Sequence, residues 1–289
     1  MFEGVYTAIV TPFTPDGAVD DQTFCALLEA QIDGGVDGVV PVGTTGESPT
    51  LNFEEHHEVI ERAIDVCKGR VQVIAGTGGN STEEALELTR HAKDRGADGT
   101  LQVTPYYNKP SQQGLIRHFS AIADIGLPVV LYNIPGRTGI PIELDTIAEL
   151  AGHPNIVAVK EAAGSVDQVS LLVRTCDLTI LSGDDMLTLP MMVVGAKGVI
   201  SVASNIIPAD VSKMVHAALG GDWETARDFH GRMHKLFCDL FLETNPVPVK
   251  TSLAMMGKVE EIFRLPLCEM TAANRAALET SLRDYGVLR

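Results

Sequence analysis

Lys160 is the first residue whose setting suggests chemistry, because it closes the apolar run Asn155-Ile156-Val157-Ala158-Val159. Water-poor surroundings there would favour the neutral amine, the form that attacks a carbonyl to give a Schiff base. An ion pair at a strand end is the plainer alternative. Strand alternation places Ile156, Ala158 and Lys160 on one face and Val157, Val159 and Glu161 on the other. Tyr132 ends the preceding apolar run. With both side chains turned to one interior, strands about 4.8 Å apart put its phenol within proton-transfer reach of Lys160. The alternative for Tyr132 is a rim aromatic with its hydroxyl in water.

Two further segments suit anions. Gly43-Thr44-Thr45-Gly46 offers backbone N–H groups and two hydroxyls in a tight turn, fitted to a carboxylate or a proton relay. Arg137, in Pro135-Gly136-Arg137-Thr138-Gly139, has the two-pronged guanidinium that clamps a carboxylate, though a surface arginine is the competing reading. The glycines of 76–80 are similar to a phosphate cradle but lack its Lys-Ser/Thr ending. Metal chemistry is disfavoured: no HExxH occurs, His56 and His57 diverge on a helix, and His230 and His234 share a face far from the strand ends.

The elements that position these residues recur in order. Short runs rich in β-branched residues fall at 5–10, 37–42, 71–75, 98–103, 128–132, 155–160, 178–181 and 198–202, each followed by a helix-compatible stretch. That order predicts an α/β fold, a (β/α)₈ TIM barrel, whose chemistry gathers at the C-terminal strand ends. Ser81-Thr82-Glu83-Glu84 reads as a capped helix start, and Gly96 and Gly34-Gly35 as helix ends. An open doubly wound sheet is the runner-up, but it needs a nucleotide-type first turn that is missing. After Pro208 the pattern turns helical, with Ala226, Phe229, Met233, Leu236, Phe237 and Leu240 on one stripe. The expected organisation is a barrel over 1–220 and a packed helical extension over 221–289, one structural unit.

Bulk properties narrow the class. At 45% hydrophobic and 21% charged, the 289-residue chain falls outside the disordered regime. Its formal charge of −16 repels nucleic acid and anionic membranes, so an anionic substrate must be drawn in locally. The five scattered cysteines show no CxxC pair and read as reduced, mostly buried thiols. Glu3 and the lack of a basic start argue against a signal peptide, and the apolar window 186–204 is broken by Pro190, Gly195, Lys197 and Gly198. A cytoplasmic protein with no membrane partner is expected.

Together, Gly43-Thr44-Thr45-Gly46-Glu47, Tyr132-Asn133-Ile134-Pro135, Lys160-Glu161 and Asn245-Pro246-Val247-Pro248-Val249-Lys250 resemble the dihydrodipicolinate synthase and N-acetylneuraminate lyase superfamily, essentially end to end. Thr104-Pro105-Tyr106-Tyr107, Gly136-Arg137-Thr138-Gly139 and Thr44-Thr45 look like its synthase branch. The resemblance implies that Lys160 forms an imine with pyruvate, whose enamine adds to L-aspartate 4-semialdehyde in diaminopimelate and lysine biosynthesis. No other cofactor is implied. Tyr132 would move protons in a relay with Thr44 and with Tyr107 from a neighbouring subunit. Thr45 would hold the pyruvate carboxylate, Arg137 the semialdehyde carboxylate, and Gly183 and Ile200 would line the pocket. A homotetramer built from dimers is implied. L-lysine as an inhibitor would be held at positions matching Ser48, Pro49, Phe53, His56, Asn80, Glu84 and Tyr106; Pro49 and Phe53 depart from the alanine and histidine of some inhibited members. A sister lyase acting on sialic or keto-deoxy sugar acids would keep Lys160 and Tyr132, but Arg137 argues against a polyol pocket. A catalytically silent keto-acid-binding barrel is the alternative of another class.

Overall fold

The computed structural model describes residues 2–288. Among them the strands are β1 (Gly4–Ala8), β2 (Gly38–Val40), β3 (Gln72–Gly76), β4 (Gly99–Val103), β5 (Val129–Asn133), β6 (Ile156–Glu161), β7 (Thr179–Ser182) and β8 (Gly198–Ser201). Each pairs in parallel with the next, and β1 also pairs with β8, so the sheet closes on itself. Closure decides between the barrel and the open sheet that periodicity left standing.

Between and after the strands run α1 (Asp21–Asp33), α2 (Phe53–Cys67), α3 (Thr82–Arg95), α4 (Gln112–Ala123), α5 (Pro135–Thr138), α6 (Leu144–Leu150), α7 (Val166–Thr175), α8 (Thr188–Val193) and α9 (Pro208–Leu219). The extension is α10 (Trp223–Asp239), α11 (Val247–Met255) and α12 (Ala272–Tyr285). Local chemistry sets the boundaries. The Ser81 hydroxyl accepts from the Glu84 N–H to start α3, and Gly96 at φ 92 ends it. Asn52 and Glu55 form a reciprocal capping box at α2. On α10 the predicted stripe is buried except Phe229, which is half-buried, and it seats the helix against α9 and α12.

Alternation along the strands makes two cores. Val5, Val39, Leu131 and Val159 face the helices, while Tyr6, Val40, Ile74, Leu101, Val130, Ala158, Leu181 and Ile200 fill the barrel. One strand departs from expectation. Val129 pairs with Ile156 and Val130 with Ala158, so Val157 is an extra, bulged residue. Ile156 therefore packs outward and Val157 packs partly inward, while Ala158 stays on the inner face with Tyr132. A single bulge inverts the facing of every residue before it, and that corrects the predicted grouping of Ile156 with Lys160.

The cysteines are free, but only Cys67 is buried; Cys25, Cys176 and Cys238 are half-buried and Cys268 is exposed. Those four lie on helices or in loops that border solvent, which corrects the expectation of mostly buried thiols. Among the described residues no helix is long and apolar enough to cross a membrane.

Candidate active site

Tyr132 and Lys160 are register partners on β5 and β6. They are 5% and 6% exposed, and the Lys160 ammonium lies 4.1 Å from the centroid of the Tyr132 ring. No ion pair or hydrogen bond joins that ammonium to another described residue. A buried amine without a counter-charge is costly as a structural feature and useful as a nucleophile. Directly after β7 stands Gly183. A β-carbon there would fall 2.9 Å from Lys160 Cε and 2.7 Å from Ala162 Cβ, so only glycine leaves the lysine its channel.

A cavity of about 200 Å³ opens at the C-terminal strand ends, its lining including Thr44, Ser48, Tyr106, Tyr132, Ile134 and Arg137. Lys160, Thr45 and Gly183 stand outside that lining, Lys160 facing the Tyr132 ring that belongs to it. Ile200 stands outside that lining too: it pairs in register with Tyr6 and is 1% exposed inside the barrel. Strand alternation turns it inward among the barrel-filling residues.

The Thr44-Thr45 loop is tightly made. Gly46 N donates to Gly43 O and Glu47 N to Thr44 O, both at 3.1 Å. It is bracketed by Val42 and Glu47, each in the left-handed region at φ 55. For residues with side chains such a conformation costs on the order of 1–3 kcal/mol and persists only where surroundings enforce it. Thr45, 3% exposed, accepts through its hydroxyl from Asn245 Nδ2 at 3.0 Å. Arg137 sits on the single turn α5, exposed, and donates from Nη2 to Asn245 O at 3.0 Å. Tyr107 is not brought to Tyr132 within this chain: it is 91% exposed, on a left-handed backbone at φ 72.

A second cavity of about 170 Å³ shares Ser48, Pro49, Gly78 and Tyr106 with the first and adds Phe53, His56 and Glu84. Asn80 lies beside this lining and donates from its amide to Tyr106 O at 3.2 Å. Burial, with His57 adding to it, pushes the His56 imidazole down to about 4, so it is neutral at pH 7. Its Nδ1 is buried without a hydrogen-bond partner among the described residues. Burial, and then Glu84, raises the Tyr106 hydroxyl.

Four neighbours carry no role in the sequence reading. Glu161 is fully buried beside Lys160 and accepts from Asn133 Nδ2 at 2.9 Å and Ala163 N at 2.8 Å. Glu47 accepts from the Lys250 ammonium at 2.5 Å, both side chains wholly buried. Asn245 joins the Thr45 loop to Arg137. The signal for Lys250 was the same as for Lys160, a lysine ending an apolar run.

Known proteins share this architecture and about half of this sequence. The Dihydrodipicolinate synthetase family model matches residues 1–285. A 4-hydroxy-tetrahydrodipicolinate synthase of Syntrophobacter fumaroxidans is 54% identical over 292 residues, covering 100% of both chains. The crystal structure of a chloride-inhibited dihydrodipicolinate synthase from Acinetobacter baumannii, complexed with pyruvate, superposes with a TM-score of 0.98 at 44% identity, covering 100% of both chains. That of the Cyanidioschyzon merolae enzyme with lysine bound gives 0.96 at 43%, covering 99% of both. With a family match over nearly its whole length and relatives above half identity end to end, this chain belongs to the dihydrodipicolinate synthetase family.

Proposed function

We propose that this chain is an enzyme condensing pyruvate with L-aspartate 4-semialdehyde, through a Schiff base on Lys160, to give 4-hydroxy-tetrahydrodipicolinate for diaminopimelate and lysine biosynthesis. The observation that carries this reading is a buried lysine with no counter-charge among the described residues, held against Tyr132 beside a cavity lined by Thr44 and Arg137. Its relatives bear the name of that activity, and one of them was crystallised with pyruvate.

Lys160 Nζ attacks the pyruvate carbonyl and water leaves, forming the imine. Loss of a methyl proton gives the enamine, whose carbon bonds to the aldehyde carbon while the aldehyde oxygen takes a proton. The amine of the semialdehyde then adds to the imine carbon, closing the ring and releasing Lys160, so one water is lost overall. Tyr132 shuttles these protons with Thr44, and Tyr107 completes the relay from a second copy. Thr45 and its loop hold the pyruvate carboxylate, and Arg137 holds that of the semialdehyde. Gly183 keeps the lysine channel open, and Ile200, turned into the barrel, lines the pocket with it from below. Because the extension over 221–289 supplies Asn245 to the Thr45 loop, barrel and extension form one working unit.

Borohydride added with pyruvate, followed by peptide mass mapping, tests the central step. The expected result is a reduced pyruvate adduct on Lys160; an unmodified Lys160 would sink the mechanism. Turnover with aspartate semialdehyde rather than N-acetylmannosamine or glyceraldehyde separates the synthase from the sugar-acid lyases.

The exposed Tyr107 supports a homotetramer of dimers in which that side chain enters a neighbour's site. Sedimentation should then show tetramers. The second cavity is read as an L-lysine inhibitor site: Glu84 grips the effector's amine, with Ser48, His56, Asn80 and Tyr106 around it. Pro49 and Phe53 shape its wall. A titration without heat or inhibition at millimolar L-lysine would refute this, and Glu84→Ala should abolish any signal.

A further inference from the structure

The C-terminal extension reaches the Thr44-Thr45 loop at two buried points. On α11, Lys250 donates to Glu47 Oε1, and neither side chain has exposed surface. Asn245, just before α11 and 6% exposed, donates to the Thr45 hydroxyl. The other Glu47 oxygen accepts from Arg264 N at 3.4 Å. Around the pair stand the rings of Phe13 and Phe263, their centroids 4.2 Å and 5.3 Å from the Lys250 ammonium.

The geometry of the loop explains why such an anchor is needed. Glu47 is held left-handed, and a β-carbon at Gly46 would fall 2.9 Å from Val42 N, so the turn is both strained and packed against its own start. Strain of this kind relaxes unless something outside the loop opposes it. A buried ion pair is a poor source of stability, since apolar residues of similar size serve as well or better. Its directional value is high, because charge-assisted bonds are short and fix geometry.

We infer that Lys250 and Glu47 are positioning residues: with the Asn245–Thr45 bond, their pair clamps the Thr44-Thr45 turn in the shape that receives the keto-acid carboxylate beside Lys160. This rests on the function proposed above. A keto acid gripped by this turn presents its carbonyl to the lysine, so loosening the clamp weakens pyruvate capture and leaves the aldehyde contacts of Arg137 in place.

The test compares the parent with Lys250→Met and the neutral pair Glu47→Gln/Lys250→Met, reading melting temperature, separate KM values and the rate of borohydride-trapped adduct formation. Lys250→Met strands a buried carboxylate and is expected to melt early. The double variant removes both charges. It is expected to melt within a few degrees of the parent, with pyruvate KM raised at least tenfold, adduct formation slowed in step, and semialdehyde KM within twofold. A double variant whose pyruvate KM and adduct rate stay within twofold of the parent overturns the proposal. If the double variant does not fold, Asn245→Ala decides, because it removes one neutral bond: a fivefold or greater rise in pyruvate KM supports the clamp, and an unchanged value overturns it. A parent that forms no adduct defeats the function reading and the clamp with it, whereas a parent with adduct and an indifferent double variant defeats the clamp alone.

Discussion

Lys160 and Lys250 both end apolar runs, both are buried, and both lie over an aromatic face, 4.1 Å from the Tyr132 centroid and 4.2 Å from that of Phe13. They differ in one respect. Lys250 is paired with Glu47, whereas Lys160 meets no carboxylate among the described residues. Burial pulls the Lys250 amine down from the ordinary lysine range, and the Glu47 carboxylate beside it offsets part of that pull. Burial alone therefore does not mark a nucleophile; burial without a counter-charge, beside a cavity, is what sets the proposed nucleophile apart.

Breaking each lysine in turn should separate chemistry from architecture. Lys160→Met should lower turnover by roughly 10⁴-fold, about 5 kcal/mol of barrier, while steady-state assays and melting curves show the fold intact. Lys250→Met should act first on stability, costing about 3–5 kcal/mol in denaturant titration because the Glu47 carboxylate is left buried and unpaired, and on catalysis only through a weaker hold on pyruvate, without the loss of turnover expected at Lys160. Equal effects of the two substitutions on both readouts would erase the contrast.

A third buried cation-former sharpens the point. His118, 6% exposed, shares one hydrogen bond with the Thr82 hydroxyl at 2.9 Å, and among the described residues its buried Nε2 has no partner. Burial pushes it from 6.5 down to about 4. A depressed folded-state value means that the stability held by neutral His118 is complete above about pH 6.5 and is lost as pH falls through 4. The loss is about 3 kcal/mol between pH 7 and pH 4, and His118→Gln should remove that much of the pH dependence in urea melts. The smallest effect is expected at Gly183. Gly183→Ala crowds Lys160 Cε, and about tenfold lower kcat/KM for pyruvate is the outcome, with adduct still forming slowly.

Much of this was legible in the sequence. Alternating β-branched runs marked all eight strands to within one or two residues at most ends, because a strand buried on both faces has a composition that surface segments lack. Tyr132 and Lys160 were read at matching depth, and they are register partners. The Gly43-Thr44-Thr45-Gly46 turn and Arg137 stood out as small-polar and cationic residues directly after strands. The bulge at Val157 was not legible, since it depends on how β6 pairs with β5 rather than on the residue itself. Nor was the inward burial of Ile200.

By itself the sequence determined the element order, the barrel class and the residue types able to do carbonyl chemistry, because local periodicity and side-chain chemistry are properties of short segments. Only the tertiary structure decided which of two similar lysines is free. Glu47 and Lys250 are 203 residues apart, and their pairing is a consequence of α11 folding back over the barrel rim. The same long-range closure sets Asn245 between Thr45 and Arg137 and leaves Tyr107 turned outward from its own chain. Counter-charge and accessibility are relations between distant segments, so they exist only once the chain has closed.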